Sequence, residues 1–374
     1  MDRNIALLIT LSIFIVSCKF LAYPVLSIDE SSESPWITKE PVPVAGDSFK
    51  AGMVDDKIYA IMLSATYEYN LCSWSTKKPM PTSRGDFALA AYQDKIYCIG
   101  GRTNSGPVGA NEVYDPATNS WESKTAMPTP RHGFDANVVK GKIYLISGLV
   151  PNHLFPDVEG TFELTTVNEV YDPSTDTWTT KTPIPNAASY YASAVVNDKI
   201  FIISENLTQI YDPATDSWSY GASPPFSVDM AGCATVAGVT PQRIYVIGGR
   251  LSTLEVAYNQ VYSPENDSWN IGSPMLTARY GLAVAVANGK VYAMGGFKGM
   301  DVSVIKKDTN EQYDPLKDEN IPVAPAPSPT PTQSTPTLEP IQEPFPILPV
   351  AATSAIVAVI VGAGLLVYFR KRRR

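Results

Sequence analysis

One block of sequence, residues 95–128, recurs along this 374-residue chain and narrows the folds that the chain can adopt. The block opens with the apolar run 96–99, which ends in the pair Gly100-Gly101. Tyr114-Asp115-Pro116 follows, and Trp121 stands seven residues after Tyr114. Short apolar runs bounded by turn residues predict β-strands, and a block that returns at a regular period predicts a repeat architecture.

Three signals of the block each occur six times. The Lys-Ile-Tyr type of strand begins at Lys57, Lys95, Lys142, Lys199, Arg243 and Lys290. The Tyr-Asp-Pro type of turn begins at Tyr69, Tyr114, Tyr171, Tyr211, Tyr262 and Tyr313. The six tryptophans are Trp36, Trp74, Trp121, Trp178, Trp218 and Trp269. The Gly-Gly pair is intact in only three copies, and the first and fourth copies are the least regular.

The first and last copies are incomplete in complementary ways. No tryptophan follows Tyr313, and no Tyr-Asp-Pro segment precedes Trp36. A circular arrangement explains both, because residues 36–39 can then supply the outer strand of the last copy. Closing the ring in this way removes the exposed sheet edge that an open array would leave.

Gly-Gly, Tyr-Asp-Pro and Trp, repeated at these spacings, resemble the Kelch repeat. The resemblance implies an all-β fold, a six-bladed β-propeller over residues 36–316 whose ring is closed by the N-terminal strand. Each blade is then a four-stranded antiparallel meander of strands a to d. In the second blade we place strand a at 87–91, b at 95–99, c at 112–114 and d at 121–124.

The N-terminal segment has the pattern of a secretory signal peptide. Arg3 precedes the apolar run 5–16, and the small residues Ala22 and Ser27 offer cleavage positions, so we assign residues 1–27 to the signal. The alternatives are an uncleaved N-terminal anchor and lipidation at Cys18, which ends a segment similar to the lipoprotein cleavage motif.

The C-terminal segment predicts a membrane anchor. Residues 350–369 carry no formal charge and would span about 30 Å as a helix, the thickness of a bilayer core. The basic tail 370–374 should stay in the cytoplasm. Residues 322–349 are rich in Pro, Thr and Ser, which predicts an extended stalk of up to about 80 Å. We therefore expect a single-pass protein in the cell membrane, with its propeller outside.

Composition excludes several classes of function. The net charge is −8 although the last five residues are all basic, so the body of the chain is strongly acidic and a nucleic-acid partner is not expected. Only two histidines, His132 and His153, are present, and no phosphate-loop, Gly-x-Ser-x-Gly or His-Glu-x-x-His motif occurs. We expect no metal centre and no cofactor. Copper oxidases with Kelch propellers need several His and Tyr ligands, which this chain does not offer.

The meander decides which loops share a face. The d–a and b–c loops lie on one side of the ring, here called the upper face, and the a–b and c–d loops lie on the lower face. Both upper loop types carry arginines, and a long b–c insertion, residues 149–166, lies there too. The predicted ligand-binding residues are Arg84, Arg102, Asn104, Arg131, His153, Arg250 and Arg279. Kelch propellers commonly bind ligands with this face, but an Arg fork equally suits ion pairs with neighbouring carboxylates.

The resemblance implies a surface module that binds a protein or a carbohydrate, and the arginines favour an acidic ligand. The alternative is a sugar mutarotase of the sialic-acid type, with Arg against the sugar carboxylate and His153 or Glu159 as proton carrier. Asn206 and Asn266 stand in glycosylation sequons. Cys98 and Cys233 are expected to be buried free thiols.

Overall fold

The computed structural model describes residues 34–46, 49–154, 160–236, 239–299, 305–321 and 324–325. The predicted signal peptide, the membrane span 350–369, the basic tail and the stalk, apart from residues 324–325, lie outside these ranges. No helix in the described part of the chain combines the length and the apolar character that a bilayer crossing requires.

Within these ranges, the repeats form six four-stranded antiparallel sheets, which are the blades of a β-propeller. Blade 1 consists of Lys50–Val54, Lys57–Met62, Ala65–Tyr69 and Trp74–Lys77. Blade 2 consists of Ala88–Tyr92, Lys95–Ile99, Asn111–Asp115 and Ser120–Lys124. Blade 3 consists of Ala136–Val139, Lys142–Ile146, Asn168–Asp172 and Thr177–Lys181.

The second half of the ring repeats this plan. Blade 4 consists of Ala192–Val196, Lys199–Ser204, Leu207–Asp212 and Ser217–Gly221. Blade 5 consists of Gly232–Thr235, Ile244–Ile247, Asn259–Ser263 and Ser268–Ile271. Blade 6 consists of Ala283–Ala287, Lys290–Met294, Asn310–Tyr313 and Trp36–Lys39. The predicted bounds in blade 2 differ slightly, because strand a begins at Ala88 and strands c and d are longer than predicted.

Short accessory elements complete the described chain. Two-stranded hairpins in b–c loops are Arg102–Thr103 with Gly106–Pro107, Leu149–Pro151 with Phe162–Leu164, Arg250–Leu251 with Leu254–Glu255, and Phe297–Lys298 with Ile305–Lys306. A 3-10 helix, Pro315–Lys317, follows the last strand of the ring. Val239–Thr240 then pairs with Ala324–Pro325.

Burial explains why the strands have the sequences that they have. Strand b is a continuous apolar run because neighbouring blades cover both of its faces, and Ile96 through Ile99 are all buried. Strand a alternates, as in Ala192–Val196, where three buried residues enclose two that are only partly buried. The Tyr of strand c packs on the Trp of strand d, with ring centroids 5.0 Å apart in the pair Tyr171–Trp178.

The N-terminal strand closes the ring as predicted. Trp36 pairs with Tyr313 in the outer ladder of blade 6, and their ring centroids lie 4.9 Å apart. Trp36 is buried, and its Nε1 donates to the carbonyl of Ser273 in blade 5 at 2.8 Å. Both described ends of the propeller therefore meet at the c–d side of blade 6, on the lower face.

A polar side chain five residues after the tyrosine of strand c joins each of five neighbouring blade pairs. In blade 3, Asp176 Oδ1 accepts a hydrogen bond from the Tyr171 hydroxyl at 2.7 Å and from the backbone N–H of Thr125 in blade 2 at 2.9 Å. The residues in this role are Asn119, Asp176, Asp216, Asp267 and Asp318. We call each of them a staple.

The sixth blade pair, formed by blades 6 and 1, is built differently. In blade 1 Trp74 follows Tyr69 after five residues instead of seven, so the c–d turn is too short to offer a staple. The Tyr69 hydroxyl is buried and has no hydrogen-bond partner among the described residues. Trp74 Nε1 still donates to the Glu40 carbonyl, at 3.2 Å. The junction between blades 6 and 1 thus lacks a contact that the other five possess.

Replacement of a staple should show how much its hydrogen-bond acceptor contributes to stability. Asp176→Ala is expected to lower the free energy of unfolding by about 1–3 kcal/mol, because a buried tyrosine hydroxyl and a backbone N–H both lose their acceptor. Asp176→Asn should cost much less, since Asn119 fills the same role in blade 2. Urea unfolding of both variants tests this, and equal losses would show that the acceptor is not what matters.

Candidate functional site

Three of the predicted ligand-binding arginines lie inside the blades. Arg84 is 1% exposed. Its Nε donates to the Gly100 carbonyl at 2.7 Å and its Nη2 to the Cys98 carbonyl at 2.8 Å, while Nη1 pairs with Glu112. These partners use the guanidinium within its own blade, so it presents no donor to a ligand on the upper face.

Arg131 repeats this arrangement, and Arg279 repeats it except at Nε, which has no hydrogen-bond partner among the described residues. Arg131 pairs with Glu169, and Arg279 lies 3.0 Å from Glu311; both guanidinium groups are fully buried. Burial lowers the pKa of Arg131, and the charge of Glu169 opposes that shift. These three arginines are therefore not available to a ligand on the upper face. Their geometry matches the alternative, in which an Arg fork ties a d–a loop to a neighbouring carboxylate.

A large cavity opens on the upper face, at the centre of the ring. Its volume is about 1520 Å³, and it is lined by the starts of the inner strands together with d–a and b–c loops. Gly101 allows these two loop types to meet in blade 2: its φ is +101°, and a Cβ there would lie 2.7 Å from the Gly85 carbonyl oxygen. The loops can therefore form one continuous wall.

A chain of backbone hydrogen bonds runs from blade to blade around the cavity. Gly133 donates to Asp86, Tyr190 to Gly133, Met230 to Tyr190 and Gly281 to Met230, over 2.8–3.1 Å. These five residues hold the same position in five successive d–a loops, and all have positive φ. The conformation costs a non-glycine residue about 1–2 kcal/mol. The hydrogen bonds thus fix Asp86, Tyr190 and Met230 in the cavity wall.

The wall formed by blades 2 to 4 is polar. The side chain of Arg102 is 44% exposed, and its guanidinium lies over the Phe162 ring, 5.6 Å from the centroid. Asp86 approaches Arg102 at 3.8 Å and accepts a hydrogen bond from the Tyr190 hydroxyl at 3.3 Å. Asn104 lines the same wall. Two residues predicted from the sequence, Arg102 and Asn104, therefore do lie at the cavity.

A second cluster of polar side chains lies near Arg102 and Asp86, and it joins blades 1, 3 and 4 across the ring. Lys50 of blade 1 lies 2.5 Å from Asp135 at the start of blade 3, and the other oxygen of Asp135 is 3.4 Å from the Ser193 hydroxyl of blade 4. Asn137 donates to that same hydroxyl at 3.0 Å. Because both charges are paired, this group contributes hydrogen-bonding capacity to the cavity without an excess of either sign.

The wall formed by blades 5 and 6 is apolar. Its side chains are those of Met230, Ala231, Cys233, Leu282, Ala283, Val284 and Phe297. Burial raises the pKa of the Cys233 thiol, which keeps it neutral. Cys72, Cys98 and Cys233 are free thiols, and Cys98 is buried as expected.

The Kelch motif matches the chain at residues 83–128, 231–276 and 278–322. These blades are Kelch repeats. Kelch-like protein 23 from Homo sapiens is 40% identical over 86 residues, which make up 22% of this chain and 14% of that protein. Kelch-like protein 36 from Bos taurus is 26% identical over 162 residues, 40% of this chain and 26% of that protein. The chain thus matches only a minor part of these relatives' length.

A solved structure supports the architecture. The structure of YjhT aligns with a TM-score of 0.60 at 16% sequence identity, covering 71% of this chain and 99% of that one. At this identity the likeness shows the shared fold alone. It agrees with the propeller fold described above.

The remaining predicted ligand-binding residues lie outside the cavity lining. Arg250 binds Asp229 through two nitrogens, at 3.2 and 2.7 Å, and stacks on Tyr280 outside the lining. His153 Nδ1 lies 2.5 Å from Glu163 on the exposed insertion hairpin. Glu159 lies outside the described residues.

The two sequon asparagines occupy exposed turns on different faces. Asn206 lies in the tight b–c turn of blade 4, on the upper face, and Asn266 lies in the c–d turn of blade 5, on the lower face. Both remain candidate glycosylation positions.

One histidine beside the cavity was not singled out by the sequence. His132 is 1% exposed and packs edge-on against Phe162, with ring centroids 4.6 Å apart. Burial lowers its pKa, so the ring is neutral at physiological pH, and its Nδ1 has no partner within the described residues. His132 therefore supports the aromatic ring beneath Arg102. No cluster of three or more His, Cys, Asp or Glu side chains suited to a metal occurs in the described chain.

The sequence did contain a signal for the buried arginines. Blades 2, 3 and 6 carry Arg in the d–a loop and Glu in strand c, whereas blades 4 and 5 carry neither. In blade 4, Ala188 takes the arginine position and Gln209 the glutamate position, and Gln209 bonds the backbone of Asn186 instead. This matched occurrence of Arg and Glu identifies an internal ion pair rather than a binding ring.

Proposed function

We propose that this Kelch propeller is a binding module whose ligand occupies the upper face and enters the central cavity. The observation that carries the proposal is the open cavity of about 1520 Å³, walled by loops that hold Arg102 and Asn104 accessible. Kelch repeats are typical of protein-binding modules, which favours a protein ligand, with the hairpins at residues 102–107 and 149–164 beside the mouth as further contact surface. A carbohydrate ligand remains part of the same proposal.

Binding should depend on the upper face and not on the lower face. On arrays of proteins and glycans, Arg102→Ala and Asn104→Ala are expected to weaken the ligand's binding about tenfold, the loss expected for a charge-assisted hydrogen bond. Arg243→Ala, at the a–b loop of blade 5, is the matched control. Binding lost in Arg243→Ala but kept in Arg102→Ala would place the site on the lower face. Turnover of free sialic acid, followed by NMR, would instead favour the mutarotase alternative.

We further infer that the propeller is displayed outside the cell and anchored by residues 350–369. The support is the signal-like start and the apolar run with a basic tail after it. Protease added to intact cells should release the propeller and leave residues 370–374 protected, as detected with an epitope tag at the C-terminus. Digestion of that tag in intact cells would contradict the orientation.

A further inference from the structure

We propose that the central cavity binds amphipathic acids, with one anionic group held at Arg102 and an apolar body packed against blades 5 and 6. The proposal rests on the proposed function, because it concerns the same cavity. It adds the chemical class of the ligand and the direction in which the ligand lies.

The first observation is the uneven distribution of charge in the cavity wall. Its charged side chains within the described residues are Lys50, Asp86, Arg102 and Asp135. All four come from blades 1 to 3. The described lining of blades 5 and 6 has no charged side chain. A ligand that is polar throughout would leave its groups unpaired against that wall, which is costly away from water.

The second observation is the state of Arg102. Lys50 is engaged with Asp135 at 2.5 Å, whereas Arg102 lies 3.8 Å from Asp86, beyond hydrogen-bonding distance. Stacking on Phe162 orients the planar guanidinium while leaving its edge accessible. A guanidinium fork suits a carboxylate or a sulfonate through two parallel hydrogen bonds. Arg102 is thus the anion-binding group of this lining.

The nearby carboxylates limit how much negative charge the cavity accepts. Two acidic and two basic side chains balance in the described lining, and Asp86 stands next to Arg102. A second anionic group on the ligand would meet only Lys50, which is already paired with Asp135, and would be repelled by Asp86 and Asp135. The site therefore favours monoanions over polyanions.

The third observation is that the apolar wall is held in place and that the cavity is large. The backbone of Met230 is fixed by hydrogen bonds on both sides, to Tyr190 and from Gly281, and Phe297 packs on Tyr280 with centroids 5.4 Å apart. Small-molecule sites usually measure about 300–1,000 Å³, and this cavity is larger. It can accept both the anionic group and a body of several rings or an acyl chain.

Two fluorescent probes with the same rings test the proposal on the full-length protein. 1-Anilinonaphthalene-8-sulfonate carries one sulfonate, and N-phenyl-1-naphthylamine lacks it. Arg102→Gln is expected to weaken binding of the sulfonate probe about tenfold, which is the loss expected for a hydrogen bond to a charged group. Binding of the neutral probe should be unchanged. Met230→Asn, which tolerates positive φ, should weaken both probes. Arg250→Gln, at the corresponding position in blade 5, should affect neither.

Salt provides a second measurement that needs no variant. Binding of the sulfonate probe to the native protein should weaken from low to high salt, while binding of the neutral probe should not.

Equal effects of Arg102→Gln on the two probes, or equal salt dependence, would overturn the proposal, provided that circular dichroism shows a folded variant. If the probes fail while array binding still requires Arg102, the inference is wrong and the binding module stands. If the probes behave as expected while array binding ignores Arg102, the proposed function is wrong.

Discussion

A chain that begins at residue 47 is expected to be less stable than any variant with a single substitution in the propeller. It loses the strand Trp36–Lys39, and with it the buried side chains of Trp36 and Val42. Truncating one buried Trp lowers the free energy of unfolding by about 3–5 kcal/mol. The shortened chain also loses the whole outer ladder of blade 6 and the hydrogen bond to Ser273. The new edge of blade 6 would expose unpaired backbone groups. We expect a fall in melting temperature large enough to leave the propeller mostly unfolded at 37 °C.

A chain that begins at residue 34 is the matched control and should melt close to the full-length protein. Trp36→Ala tests the same junction without removing backbone, and should lie between the two. Calorimetry of all three measures the effect. If the chain from residue 47 had the same melting temperature as the control, blade 6 would have to be stable with three strands. The closing strand would then be unimportant for stability.

Arg131→Ala is expected to lower the free energy of unfolding by about 3–5 kcal/mol. The substitution removes hydrogen bonds to the carbonyls of Leu145 and Ser147 and leaves Glu169 buried without its cation. The loss comes mainly from the stranded carboxylate, since a buried charge without a partner is far more costly than a buried neutral group.

Blade 4 offers a control for this substitution, because it has an uncharged pair at the same two positions. The double variant Arg131→Ala with Glu169→Gln reproduces the pair Ala188 and Gln209 that blade 4 uses. It should recover part of the stability lost in the single variant, because the amide needs no counter-charge. Urea unfolding of both variants decides the matter. A double variant as unstable as the single one would mean that the carbonyl contacts, and not the ion pair, hold the loop.

The ring and its closure were predictable because they depend on residues that recur. An unmatched Trp36 at one end and an unmatched Tyr313 at the other were enough to place the closing strand, and their pairing confirms it. The staples could also have been found, since an Asp or Asn stands five residues after the tyrosine in five blades. Recurrent residues report on contacts that every blade must make.

Which arginine side chains reach the cavity was harder to predict, because the loop that carries a long side chain does not decide where that side chain points. Arg84 and Arg102 both belong to upper-face loops, yet one reaches back along its blade to Glu112 and the other lies over Phe162. The cavity wall was harder still. Asp86, Tyr190 and Met230 hold one repeat position but share no chemistry, so no sequence pattern marks them.

Both described ends of the ring emerge on the lower face, whereas the cavity opens on the upper face. A reporter protein fused to either end, or a sensor surface coupled there, would consequently leave the cavity mouth unobstructed. The two ends could also be joined by a short linker and the chain reopened in another c–d turn, which would move the cut to a different blade. The propeller is thus suited to circular permutation and to oriented display.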